Sequence, residues 1–292
     1  MSTTFWILLT ACLTGIACGP IGCFLVLRRL VMMGDAISHA VLPGIVVGYL
    51  LTGVRDPFIM LAGALGVGII TAWLTGIVHH VGQVDEGASM GVVFTLLFAI
   101  GVILVSAYTG QVDLDADCVL YGEIAYVTWD TFQIGSTDMG PRAVWMLGGI
   151  VAMNVIFIVM FYKQLKICAF DPELASSLGI PTGVFHYLLM TMTAMTVVAA
   201  FESVGAILVV AMLAVPAATA YLLTRHLWFM LILSAVIGCL SGLLGYGLAA
   251  LFDSSISGAM AVAAGILFLL AILFSPHHGI AVLWARRLLH NR

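Results

Sequence analysis

Asp35 and His39 stand four residues apart in Gly34-Asp35-Ala36-Ile37-Ser38-His39-Ala40-Val41-Leu42-Pro43-Gly44, inside an apolar run. On a helix, positions i and i+4 share one face. A carboxylate and an imidazole on one face suit a divalent transition ion: Mn²⁺, Fe²⁺ or Zn²⁺. A carboxylate at the centre of a lipid-solvated helix costs about 2.5–3.5 kcal/mol, so such residues usually face a cavity and carry a task. If the bilayer begins near Arg29, His39 lies roughly 15 Å deep, close to the midplane. Pro43 displaces the carbonyl four residues back, that of His39, and predicts a kink with a freed carbonyl beside the pair. The bland alternative is that Asp35 and His39 satisfy each other in a packed interior.

Glu202 is the other acidic residue outside a connection, in Phe201-Glu202-Ser203-Val204-Gly205. Counted along a regular helix from Arg225 it lies roughly 35 Å away, near the far surface. To reach His39 the chain must re-enter or break, which Gly205 and Pro216 permit; otherwise Glu202 is an exposed turn residue. His186 stands alone within its run and reads as a core or mouth histidine.

The elements that position these residues are membrane helices. Of 292 residues, 63% are hydrophobic and 8% charged, and mean hydropathy is +1.19. Soluble domains carry about 25% charged residues, so the solvent here is mostly lipid. Apolar runs fall near 5–27, 31–52, 57–78, 89–108, 143–162, 183–201, 203–223, 227–250 and 256–275. They predict an all-α polytopic transmembrane bundle of nine spans, or eight if one re-enters the membrane from the same side. Arg28/Arg29, His79/His80, Lys163/Lys166, Arg225 and Arg286/Arg287/Arg292 mark one face, the cytoplasmic one by the positive-inside rule. Nine spans put the N-terminus outside, eight put it inside. The acidic connection 109–142 then lies on the outer face. Gly238-x-x-x-Gly242 and the Ala62-Gly63, Gly66 and Gly68 cluster predict close helix contacts. Residues 1–292 read as a single transmembrane domain.

Several classes are excluded. Net charge is −4 with no Lys/Arg run, against nucleic-acid binding. Six cysteines without a C-x-x-C pair read as small hydrophobes. Leu9-Thr10-Ala11-Cys12 resembles a lipoprotein cleavage site, but no Lys or Arg precedes it and the apolar run continues. Asp113-x-Asp115-x-Asp117 opens like a calcium loop but has Cys118 and Ile124 where Gly and Glu belong. A solvated acidic face is the plain reading, a cation antechamber or docking surface the other. No H-E-x-x-H supports a metallopeptidase, and no G-x-x-x-x-G-K-[ST] supports ATP hydrolysis, so the chain is no enzyme of either kind.

The loop 167–182 contains a short, well-delimited helix. Asp171 is an N-cap, Pro172 a first helical residue, Glu173 suits the positive helix end, Gly179 is a stop and Pro181 blocks extension. In a transporter such a helix, Leu174 included, could be the lever that docks into a motor subunit.

Together Gly22-Cys23-Phe24-Leu25-Val26-Leu27-Arg28-Arg29, the Gly34–Gly44 stretch, Asp171-Pro172-Glu173-Leu174-Ala175 and Val204-Gly205 through Pro216 to Ala220 resemble the membrane permease subunits of bacterial ABC importers for manganese, zinc and iron. The resemblance spans the whole chain. It implies a multi-pass protein of the bacterial inner membrane, two permease chains, two cytoplasmic ATP-binding subunits and an extracytoplasmic metal-binding protein. It implies that the 170–180 helix couples to the ATPase, and that the metal path uses Asp35, His39 and Glu202. Zinc-type members tend to lack an acid at the Glu202 position, which leans the cargo toward Mn²⁺ or Fe²⁺. The 113–123 segment resembles members paired with a different permease, so the pair is homodimeric or heterodimeric. No permanently bound cofactor is implied. The rival is an ion-coupled secondary metal carrier with Asp35 and His39 as a proton relay.

Overall fold

In the computed structural model, the residues described are 3–52, 57–108, 124–129, 131–134 and 137–275. The Asp113–Asp117 motif, Cys118, Glu123 and the terminal Arg286, Arg287 and Arg292 lie outside them. The helices are α1 (Thr3–Arg28), α2 (Met32–Thr52), α3 (Pro57–Gly82), α4 (Glu86–Tyr108), α5 (Arg142–Phe170), α6 (Pro172–Ser177), α7 (Thr182–Val204), α8 (Ala206–Leu223), α9 (Leu227–Phe252) and α10 (Ile256–Phe274). Among the described residues, nine of these are long and apolar enough to cross a membrane; α6 is not. The near-continuous 183–223 stretch is two helices, parted at Gly205 (φ 80, ψ 164). That backbone region is open in practice only to glycine. The chain is a multi-pass membrane protein.

The connection before α5 carries structure that a purely helical reading omits. A 3₁₀ turn (Ile124–Thr128) precedes an antiparallel hairpin of β1 (Thr131–Ile134) and β2 (Thr137–Pro141). Thr, Phe and Ile in β1 favour strand over helix.

Contacts divide the chain into two compact units. One contains Met1–Val26, Glu123–Val151 and Ile207–Arg292. There α1 and α9 meet backbone to backbone: a Cβ built on Gly15 would lie 2.6 Å from the Gly238 carbonyl carbon, and one on Gly242 3.0 Å from Ala11 Cβ. The expected Gly238-x-x-x-Gly242 contact is therefore made, with α1 as its partner. Pro216 is buried inside α8.

The other unit contains Leu27–Gly122 and Ala152–Ala206. Its centre is α2, which packs against α3, α4 and α7. Small residues make this possible. Gly44 of α2 meets the Gly63 carbonyl of α3, and Gly63 meets the Gly44 carbonyl, with no room for a Cβ on either. Gly101 of α4 rests on Pro43, where a Cβ would come within 2.8 Å of the ring Cδ. A Cβ on Gly68 would touch Ala194 Cβ at 3.2 Å and Ile37 Cγ2 at 3.4 Å, which sets the register of α2, α3 and α7. Gly66, from the same glycine cluster, has nothing within 4 Å of its Cβ position.

This contrast generates a prediction. Gly44→Leu should reduce the yield of monodisperse protein and lower Tm, since overpacking a tight contact costs about 1–3 kcal/mol or more. Gly66→Ala should leave Tm unchanged or raise it, because helix-interior Gly is worse than Ala by roughly 1 kcal/mol. Thermal melts of the purified protein in detergent compare the two.

Candidate functional site

Residue pattern and local geometry place the pair on α2. Asp35 lies in the first turn. The chain does not run helically from Arg29: Arg29 adopts φ 62, and α2 begins at Met32. His39 is therefore only about 10 Å along its own helix, fewer than a continuous helix from Arg29 implies. Its neighbours supply the depth. Ile37, between the pair in sequence, packs at the Cβ position of Gly68, near the middle of α3.

Asp35 Oδ1 lies 3.4 Å from His39 Nε2, and the side chains retain 30% and 35% of their exposure. That separation is long for an N–H···O hydrogen bond, typically about 2.7–3.2 Å.

Two phenylalanines of α4 wall the imidazole. The Phe94 and Phe98 ring centroids lie 5.9 and 6.0 Å from that of His39, the second edge-on. Phe94, Phe98 and Gly101 fall at i, i+4 and i+7, one face of α4, turned to His39 and Pro43. Sequence reasoning passed over these aromatics because each reads as a lipid-facing residue; the signal was their spacing with Gly101. Pro43 sits inside α2 as expected, leaving the His39 carbonyl without its i+4 donor.

Glu202 does not join the pair. It is exposed, in the last turn of α7, roughly 12 Å beyond Ala194 along that helix. Among the described residues, no three His, Cys, Asp or Glu side chains come together where they could hold a metal ion.

The short helix α6 forms as its sequence dictates. The Asp171 carboxylate accepts from Leu174 N–H at 2.9 Å, with Pro172 in the first turn. At the other end Gly179 takes φ 77. Its N–H donates to the Ser176 carbonyl, and the Ile180 N–H to that of Ala175, both at 3.0 Å. This is a Schellman stop, which uses a left-handed residue at that position. Asp171, Pro172 and Glu173 are exposed. So are large apolar residues: Phe170 before the helix, Leu174 within it and Leu178 at its C-cap keep 58%, 49% and 61% exposure. A groove of about 570 Å³ runs beside them, lined by Lys163, Lys166, Phe170 and Leu174.

A family model described as the ABC 3 transport family matches residues 1–275. The chain belongs to that family. Its relatives include the manganese transport system membrane protein MntD of Bacillus subtilis, 51% identical over 280 residues, covering 96% of this chain and 95% of that one. The zinc transport system membrane protein TroD of Treponema pallidum is 42% identical over 277 residues, 95% of this chain and 75% of that one. Among solved structures, PsaBC from Streptococcus pneumoniae in complex with Fab matches with a TM-score of 0.78 at 31% identity, covering 95% and 94% of the two chains. The expected ABC-type permease fold is thus the observed one.

Gly179 gives the prediction here. Gly179→Ala places a Cβ in a left-handed conformation at a cost of roughly 1–2 kcal/mol. Hydrogen exchange should accelerate at the Gly179 and Ile180 amides and through α6, while the spans stay protected.

Proposed function

We propose that this chain is the permease subunit of an ATP-driven importer of a divalent transition metal ion, with Mn²⁺ as the favoured cargo. The observation that supports it most is the half-open Asp35–His39 pair, 3.4 Å apart on α2. The carboxylate offsets the ion's charge, and the imidazole favours a transition metal over Ca²⁺ or Mg²⁺. The freed His39 carbonyl adds an oxygen donor, which suits Mn²⁺. Two protein side chains leave most of the coordination sphere to water or to a second permease chain, so binding is weak enough to release. Asp35 and His39 are the metal residues of this reading; Glu202 serves at the outer end of α7.

In this proposal the chain acts as one permease domain in the bacterial cell membrane. It pairs with a second permease, of the same or another sequence, and receives metal from an extracytoplasmic binding protein. Two cytoplasmic ATP-binding subunits drive alternating access through Asp171–Gly179. The exposed Leu174 on a capped helix, with exposed Phe170 and Leu178 at its two flanks, is the feature that fits a docked subunit. Membership of an ABC family sets aside the secondary-carrier alternative. The name of MntD supports manganese and that of TroD supports zinc, so Zn²⁺ stands as the second cargo; Fe²⁺ has no support among the relatives reported.

Asp35→Ala and His39→Ala should each cut radioactive Mn²⁺ uptake in cells by more than about tenfold, since outer-shell partners alone are worth about 10–100-fold. Undiminished uptake at equal expression would remove both from the path. Leu174→Asp with Leu178→Asp should leave the permease folded but strip the ATP-binding subunits on purification; retained subunits with full uptake would end the coupling assignment.

A further inference from the structure

A second polar site lies at the α1–α2 corner of the same unit. A cavity of about 510 Å³ is lined by Arg28, Arg29, His79, His80, Glu86 and His186, with Tyr187 beside them. We infer that it binds a phosphate-bearing anion, either the headgroup of an acidic phospholipid or a free phosphate compound.

The charge balance favours an anion. Two guanidiniums face one carboxylate, and arginine stays charged at any cellular pH. Among the described residues, no salt bridge involves the side chain of Arg28 or Arg29, though Glu86 acts on Arg28 through space. A guanidinium presents a planar fork of N–H donors that fits phosphate oxygens. The neighbours extend the donor set. A neutral imidazole always carries one N–H. That of His79 is committed, its Nδ1 donating to the Val84 carbonyl at 2.7 Å, while His80, His186 and Tyr187 also line the cavity. Thr182 and Gly183 also line the cavity, at the start of α7, where the N-cap is Pro181 and no side chain caps the helix.

A cation is the poorer occupant. Glu86 and Cys168 are present in the wall, but no metal-holding trio forms among the described residues, and the arginines repel it. The location gives the anion a consequence. By the positive-inside rule this is the cytoplasmic end, where acidic headgroups and soluble phosphates both reach. Pro172 of α6 lines the same wall as Thr182, so an anion held by Arg28 and Arg29 would tie the α1–α2 corner to both ends of the 172–182 segment.

The test uses the assembled importer in nanodiscs. One arm contains phosphatidylcholine with phosphatidylglycerol, and native mass spectrometry counts retained phosphatidylglycerol. The other contains phosphatidylcholine alone, titrated with radioactive orthophosphate. Wild type is expected to hold one probe saturably: phosphatidylglycerol identifies a lipid, orthophosphate a soluble ligand. The R28Q/R29Q variant is expected to bind at least about tenfold more weakly, with R28K/R29K restoring part. Because the double variant could unfold, Arg29→Gln alone, at an exposed position, should weaken binding in the same direction. Failure of both probes on wild type, or equal affinity in R28Q/R29Q, overturns the inference. Metal uptake plays no part in either readout, so failure here leaves the cargo assignment untouched.

Discussion

Lipid offers a carboxylate nothing to bond with, and Asp35 lies in a helix built to be surrounded by apolar groups. Everything around it answers that constraint. His39 stands one turn away at 3.4 Å, close enough to share charge and too far for a strong hydrogen bond. The pair keeps about a third of its surface, so it pays neither the full cost of burial nor that of facing lipid. A divalent ion between the two would relieve both partial charges at once.

Holding such a pair steady requires neighbours that close in on every other face of α2. Gly44 against Gly63, and Gly101 against Pro43, bring α3 and α4 to backbone distance. Phe94 and Phe98 then restrict the imidazole. Pro43 contributes twice, as a flat surface for Gly101 and as the residue that leaves the His39 carbonyl without a donor. The same economy appears in α6, where Asp171 and Gly179 close a helix too short to be stable by length alone.

The readable features were local ones. Apolar run lengths located the spans but left eight or nine open and set the break in 183–223 near Glu202 rather than at Gly205, and i,i+4 spacing found Asp35 with His39. Caps at Asp171 and Gly179 needed only neighbouring residues, so their hydrogen bonds follow the pattern. What the sequence hid depended on register between helices. The start of α2 at Met32 depends on a left-handed Arg29, a residue with no signature for it. The wall of Phe94 and Phe98 depends on how α4 lies on α2. Glu202 had the right chemistry, but its place two turns past Ala194 was set by α7 packing on Gly68. The cavity at Arg28 and Arg29 draws on four separate segments, and each basic residue alone read as a membrane-end anchor.

The central claim is that one metal ion is held by the imidazole of His39 and the carboxylate of Asp35. Pulsed electron paramagnetic resonance of Mn²⁺ in the assembled importer, trapped with its ATP-binding subunits closed, tests it most directly. The account predicts modulation from one directly coordinated histidine nitrogen of this chain, shifted by ¹⁵N-histidine labelling and absent in His39→Gln. Bound Mn²⁺ whose nitrogen signal is unchanged in His39→Gln would contradict it.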